Sequence, residues 1–206
     1  MASAAEARIR EKADTLLRTM WPSARIVHEF DLGGVRLDLA AITEDRLILV
    51  EIKSELDTLT RLPRQAEFAL RVGGPLMVVY APRWSEAIRK LSFSGSYRVN
   101  WIEEGDGPLA VRYPRWLDAD NDRYDSRALM GLLLKPELMA LARPHGAKTR
   151  FDVSRLQAIV HENLTGREIR RGVMAALRAR RFGWTCDAPI PANDTKPDLF
   201  AEGEAA

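Results

Sequence analysis

Cysteine is nearly missing from this chain: Cys186 is the only one in 206 residues. A single thiol can build neither an intramolecular disulfide nor a cysteine-based zinc or iron–sulfur site, and it suits a reducing compartment. Histidine is scarce as well, and His28, His145 and His161 have no ligand spacing to one another. No apolar run approaches the roughly 18 residues of a membrane helix, and the amino terminus lacks the apolar core, roughly 7–15 residues long, of a signal peptide. Internal repeats are also lacking. These absences predict a cytoplasmic protein without a membrane partner, built on an ordinary core.

What is present supports that core. Hydrophobic residues make up 46% of the chain, enough for one domain, or for one domain with a small appendage. The net charge of +2 hides an asymmetry. Residues 127–181 carry twelve Lys/Arg against four Asp/Glu, a net of +8, which leaves −6 for the remainder. A charge split of this kind points to an anionic partner for the basic part.

Periodicity predicts an amphipathic first helix with Ile9, Ala13, Leu16, Leu17 and Met20 inward, and Ser3 with Glu6 forms a capping-box pattern. Three strands are expected over 24–32, 35–42 and 46–54, turning at Gly33-Gly34 and Thr43–Asp45. A helix over 57–71 with Asp57 as its cap, a buried strand over 75–82, a short helix over 84–91 and a hairpin of "YRVNWIEE" and "LAVRYPR" follow. The fold class is α/β, a mixed sheet with helices on its faces.

Alternation along these strands poses a chemical question. Glu51 and Lys53 share a face with Leu47 and Leu49, while Arg36, Asp38 and Ala40 share a face opposite Leu37 and Leu39. A hairpin between the second and third strands brings Asp38 near Glu51. Two desolvated carboxylates repel, so a cation must compensate them. Lys53 supplies one charge, and hard oxygen ligands without His or Cys favour Mg²⁺ or Mn²⁺ for the rest. That combination suits attack of water on a phosphodiester. The bland alternative is a structural Glu51–Lys53 ion pair. Arg61 and Arg64, flanking Gln65, suit phosphate contacts or an ordinary solvated helix face.

Asp38, followed after twelve residues by "EIK" at 51–53 and then by the helix carrying "RLPRQ" at 61–65, resembles the restriction-endonuclease-like, PD-(D/E)XK nuclease superfamily. More narrowly, "EIKSELDTLTRLPRQAEFALRV" with the strand "LMVVYAP" is similar to a poorly characterised bacterial and phage group within it. The resemblance implies a restriction-endonuclease-like core and a Mg²⁺- or Mn²⁺-dependent deoxyribonuclease of repair, recombination, phage DNA processing or defence. By the same resemblance, Asp38, Glu51 and the Ile52 carbonyl hold the metal, Lys53 is the catalytic lysine, and Gln65 contacts phosphate or water. A further acid on the first helix is expected, for which Glu6, on the stripe of Ile9 and Ala13, is the candidate. Arg36, Arg61 and Arg64 are expected to contact DNA. RNA remains open as a substrate, and the superfamily admits a homodimer.

The organisation expected is a nuclease core over 1–117, an acidic linker over 118–126, a basic helical region over 127–183 and a Pro-rich acidic tail over 184–206. In the helical region, helices broken near Lys135-Pro136, an extended basic "AKTRFD" and a Thr165-capped last helix loosely resemble a SAP-type DNA-binding motif. Lys148, Arg150, Arg170 and Arg171 are its expected phosphate contacts. The alternative function is a catalytically inactive nucleic-acid-binding or accessory protein on the same fold.

Overall fold

In the computed structural model, residues 4–91, 99–111, 124–183 and 186–191 are described. Five strands form one mixed sheet in the order β1-β2-β3-β4-β5: Arg25–Asp31, Arg36–Ile42, Leu47–Lys53, Leu76–Tyr80 and Val99–Glu103. The first three are antiparallel neighbours, and β4 and β5 continue parallel to β3. Every residue of β3 is buried, as a central strand covered on both faces requires.

Helix α1 (Ala4–Met20) covers one face, where Ile9, Ala13 and Leu17 pack on Ile26, Leu39, Ile48, Val50 and Met77. On the other face, Leu62, Ala66 and Ala69 of α2 (Leu62–Arg71) pack on Leu47, Leu49 and Val78. The same cluster takes in residues of four carboxy-terminal helices, α4 (Ser126–Met130), α5 (Lys135–Ala142), α6 (Val153–Asn163) and α7 (Gly166–Ala179). The short α3 (Ser85–Arg89) lies between β4 and β5 in the chain. Helix α7 begins on the expected Thr165 cap, whose hydroxyl accepts from the Glu168 N–H while Glu168 answers the Thr165 N–H.

Three expectations change. The helix predicted over 57–71 starts only at Leu62, because Pro63, which has no N–H and a fixed φ, is suited to a first turn and not to a helix interior. Asp57 does not cap it; its carboxylate accepts instead from the Ser54 N–H at 2.8 Å and closes the turn leaving β3. The hairpin is not completed within the described residues: β5 pairs parallel with β4, and 109–111 is not strand. Residues 112–115 of that hairpin, Ser3 of the capping box, most of the linker and most of the tail lie outside the described residues.

Candidate metal and phosphodiester site

At Glu29 and Asp38 the β1–β2 hairpin turns over. The ladder pairs His28 with Leu39 and Phe30 with Leu37, and the two acids between them are not paired. Glu29 has φ +53, the one positive φ among the described non-glycine residues. The strand faces therefore switch: Ala40 and Ile42 belong to the core shared with α2 and the carboxy-terminal helices, Leu39 and Ala41 to the core under α1, yet Leu37 returns to the first of these. This corrects the expectation that Leu37 and Leu39 share a face, and it places Asp38 at the break. The β2–β3 register ends at Leu39 with Val50, and the next residue on each strand is an acid, Asp38 and Glu51.

Asp38 is held from two sides. Its Oδ2 accepts the Ile52 N–H at 2.7 Å, and its Oδ1 accepts from the Arg10 guanidinium at 2.8 Å. Burial raises its pKa, against the pull of that N–H and of Arg10. Leu49 N donates to Pro75 O and Lys53 O accepts from Ala81 N, so the alternation of the ladder turns the amide and carbonyl of Ile52 toward the β2 side, where Asp38 sits.

Glu51 and Lys53 are among the most buried charged groups of the molecule, their side chains 4% and 2% exposed. Lys53 Nζ donates to Glu51 Oε1 at 2.5 Å and approaches Gln65 Oε1 at 3.5 Å. Glu51 Oε2 is buried with no hydrogen-bond partner among the described residues. Desolvation, then the Asp38 charge, push Glu51 up to about 7, while Lys53 and, less, Gln65 pull the other way. Gln65 is itself buried on α2, and its Nε2 donates to the Arg36 carbonyl at 3.1 Å.

These groups open onto a cavity of about 1050 Å³ whose lining includes Glu6, Arg36, Arg61 and Arg64. Arg61 and Arg64 are exposed on the rim, with Arg64 lying over the Phe68 ring. Glu6 lines the cavity and pairs there with Arg10, whose Nη2 is 2.9 Å from its carboxylate. Lys148, Arg150, Arg170 and Arg171 do not line the cavity. Lys148 and Arg150 are exposed in the segment before α6, which is coil and not extended strand; Arg171 is exposed on α7, and Arg170 lies over the Tyr124 ring.

Arg10 and Glu29 belong to the site although their sequence positions did not suggest it. The i,i+4 spacing of Glu6 and Arg10 was the one available signal for Arg10. Among the described residues, no three His, Cys, Asp or Glu side chains form a ready metal cluster. The donors that are present are two carboxylates, one with an unpartnered buried oxygen, and a backbone carbonyl turned to the same side. In kind they suit a hard divalent cation. The place beside Asp38 Oδ1 belongs to Arg10.

The family model described as bacteriophage P4 protein cII matches residues 4–190, nearly the whole described fold and its site. The chain belongs to the bacteriophage P4 protein cII family. A solved structure of a protein of unknown function from Silicibacter pomeroyi is similar at 14% identity, over 73% of this chain and all of that one, with a TM-score of 0.40. At that level the likeness bears on neither fold nor function. No curated protein matches the chain.

Proposed function

We propose that this P4 cII-family protein is a metal-dependent nuclease that hydrolyses DNA phosphodiester bonds on a restriction-endonuclease-like core. The observation that carries the proposal is the Glu51 carboxylate: buried, with an unpartnered oxygen, paired to a buried lysine, and beside a second acid at an arginine-rimmed cavity. Burial of this kind is expensive unless the charges have work to do.

In this reading Asp38, Glu51 and the Ile52 carbonyl hold Mg²⁺ or Mn²⁺, which would polarise the phosphate and lower the pKa of bound water. Lys53, kept close by Glu51 and Gln65, orients the nucleophile and offsets charge on the phosphate. Gln65 fixes the start of β2 through the Arg36 carbonyl, which holds the cavity wall in place. Arg36, Arg61 and Arg64 bind flanking phosphates at the rim, and Lys148, Arg150, Arg170 and Arg171 give the basic helical region its contacts to the DNA backbone. Glu6 acts by holding Arg10. A second reading, a nucleic-acid-binding accessory protein without turnover, draws on Arg10: Asp38 already has a cation.

The test is incubation with labelled single-stranded, double-stranded and branched DNA, and with RNA, in Mg²⁺, Mn²⁺ or EDTA, beside Asp38→Asn and Lys53→Met. Metal-dependent cleavage lost in both variants is expected. Binding without cleavage of any substrate, unchanged in the variants, would select the accessory reading.

A further inference from the structure

The way Arg10 sits among the carboxylates has a stoichiometric peculiarity. Its Nη2 lies 2.8 Å from Asp38 Oδ1, 2.9 Å from Glu6 Oε1 and 3.1 Å from Glu29 Oε1. One guanidinium nitrogen at this position carries two hydrogens, so three carboxylates compete for two donors. Nη1 separately donates to the Asp38 backbone carbonyl at 3.0 Å, a tether that does not depend on the Asp38 side chain.

Glu29 is placed for this competition at a conformational cost. Its φ of +53 is unusual for a non-glycine residue, and its two oxygens divide between Arg10 and, at 2.9 Å, Arg36 Nε. If Asp38 Oδ1 leaves Arg10, both Nη2 hydrogens still have acceptors in Glu6 and Glu29. Arg10 therefore loses little by giving up Asp38, and it stays charged, as a guanidinium does at any ordinary pH.

We infer that Arg10 is a displaceable resident cation: a divalent metal enters by taking Asp38 from its guanidinium, which Glu6 and Glu29 then hold in reserve. The inference rests on the metal reading above and adds to it a residue that sets how tightly the ion binds. Arg10 thereby keeps the carboxylates compensated in the metal-free protein, and Glu29 sets the cost of release. Arg10 and Glu29 are positioning residues, since neither needs to touch substrate.

The test uses the full chain and Mn²⁺ alone, followed by the electron paramagnetic resonance of free Mn²⁺ or by calorimetry. Arg10→Met should bind Mn²⁺ at least about tenfold more tightly than the parent, a shift of about 1.4 kcal/mol, and Asp38→Asn should remove binding from both. Glu29→Gln, a change of nearly equal size at a half-exposed position, should act oppositely and weaken Mn²⁺ binding, because Arg10 then grips Asp38 with one fewer charged competitor. In the double variant Arg10→Met/Glu29→Gln the Glu29 effect should disappear, since there is no guanidinium left to hold. Unchanged or weaker binding in Arg10→Met, or a Glu29 effect that persists without Arg10, overturns the inference and leaves the metal reading standing. Should Arg10→Met not fold, unchanged or tighter binding in Glu29→Gln overturns it alone. Absence of Mn²⁺ binding from the folded parent and variants alike removes the metal reading and this inference together.

Discussion

Glu51 and Lys53 show what a buried charge pair does to stability as well as to chemistry. In the unfolded chain Glu51 titrates near 4.5; in the fold burial moves it to about 7. Between those values the folded state holds a proton that the unfolded state has released, so this group's contribution to stability falls as pH rises through the window. Lys53 limits the loss by facing the ionised carboxylate. Replacing it with methionine, which fills similar space, should cost about 3–5 kcal/mol at pH 8 in EDTA, where Glu51 must either stay charged beside Asp38 without its cation or take up a proton. At pH 5, with Glu51 protonated, the same change should cost little. Urea unfolding at the two pH values measures this, and an equal cost at both would show that Glu51 is not the group stranded. That Glu51 and Lys53 lie side by side on a buried strand was legible from strand alternation, which is local; Asp38 came from an expected hairpin, and Gln65 from the family resemblance alone. Arg10 and Glu29 were not legible, because their roles depend on how α1 docks and on a single backbone angle.

At the scale of elements, the carboxy-terminal helices are tied to the sheet by an arginine that periodicity treats only as the start of a strand. Arg25, 1% exposed, donates to the carbonyls of Leu177 and Arg178 at 3.0 and 2.7 Å, and also to that of Arg180, at the end of α7. A guanidinium there meets the orphan carbonyls and the negative end of the helix dipole. Its Nε and Nη2 also donate to the Asp187 carbonyl, so one residue joins β1, α7 and the segment 186–191. That segment in turn covers the edge of β1 through a bridge between Cys186 and Val27. Arg25→Met should lower stability by about 2–4 kcal/mol, because the buried Leu177 carbonyl and the part-buried Arg180 and Asp187 carbonyls lose this donor at once, while Arg178 keeps the Ile190 N–H. Urea denaturation is the check, and a loss below about 1 kcal/mol would mean that solvent replaces the guanidinium. The elements themselves were largely readable, since the strand bounds followed from apolar runs and turn residues. The late start of α2 was not, because Pro63 overrode the local helical pattern, and neither was the parallel pairing of β5 with β4, which joins strands distant in the chain.

For the molecule as a whole, the +8 of residues 127–181 belongs to the helices that share a core with the sheet and to the segments joining them, while none of those residues lines the candidate site. If both surfaces meet one nucleic acid, each phosphate contact should appear in the salt dependence of binding. Lys148→Ala/Arg150→Ala should reduce the slope of log affinity against log salt by about 2 on duplex DNA, and Arg61→Ala/Arg64→Ala by a similar amount. Anisotropy titrations over a range of salt concentrations measure both, and an unaltered slope in either variant would remove that surface from the interface. Among the described residues no helix is long and apolar enough to cross a membrane. The amino-acid sequence by itself determined the α/β class, the succession of strands and helices, and that Glu51 and Lys53 are neighbours on one face of a buried strand. Those properties are local, carried by alternation of two on strands and by helical spacing. The tertiary structure alone decided that the hairpin turns over at Glu29 and Asp38, that Arg10 meets three carboxylates, and that one oxygen of Glu51 is buried without a partner. Each of these depends on how separate elements pack, and packing brings together residues whose separation in the chain carries no local signal.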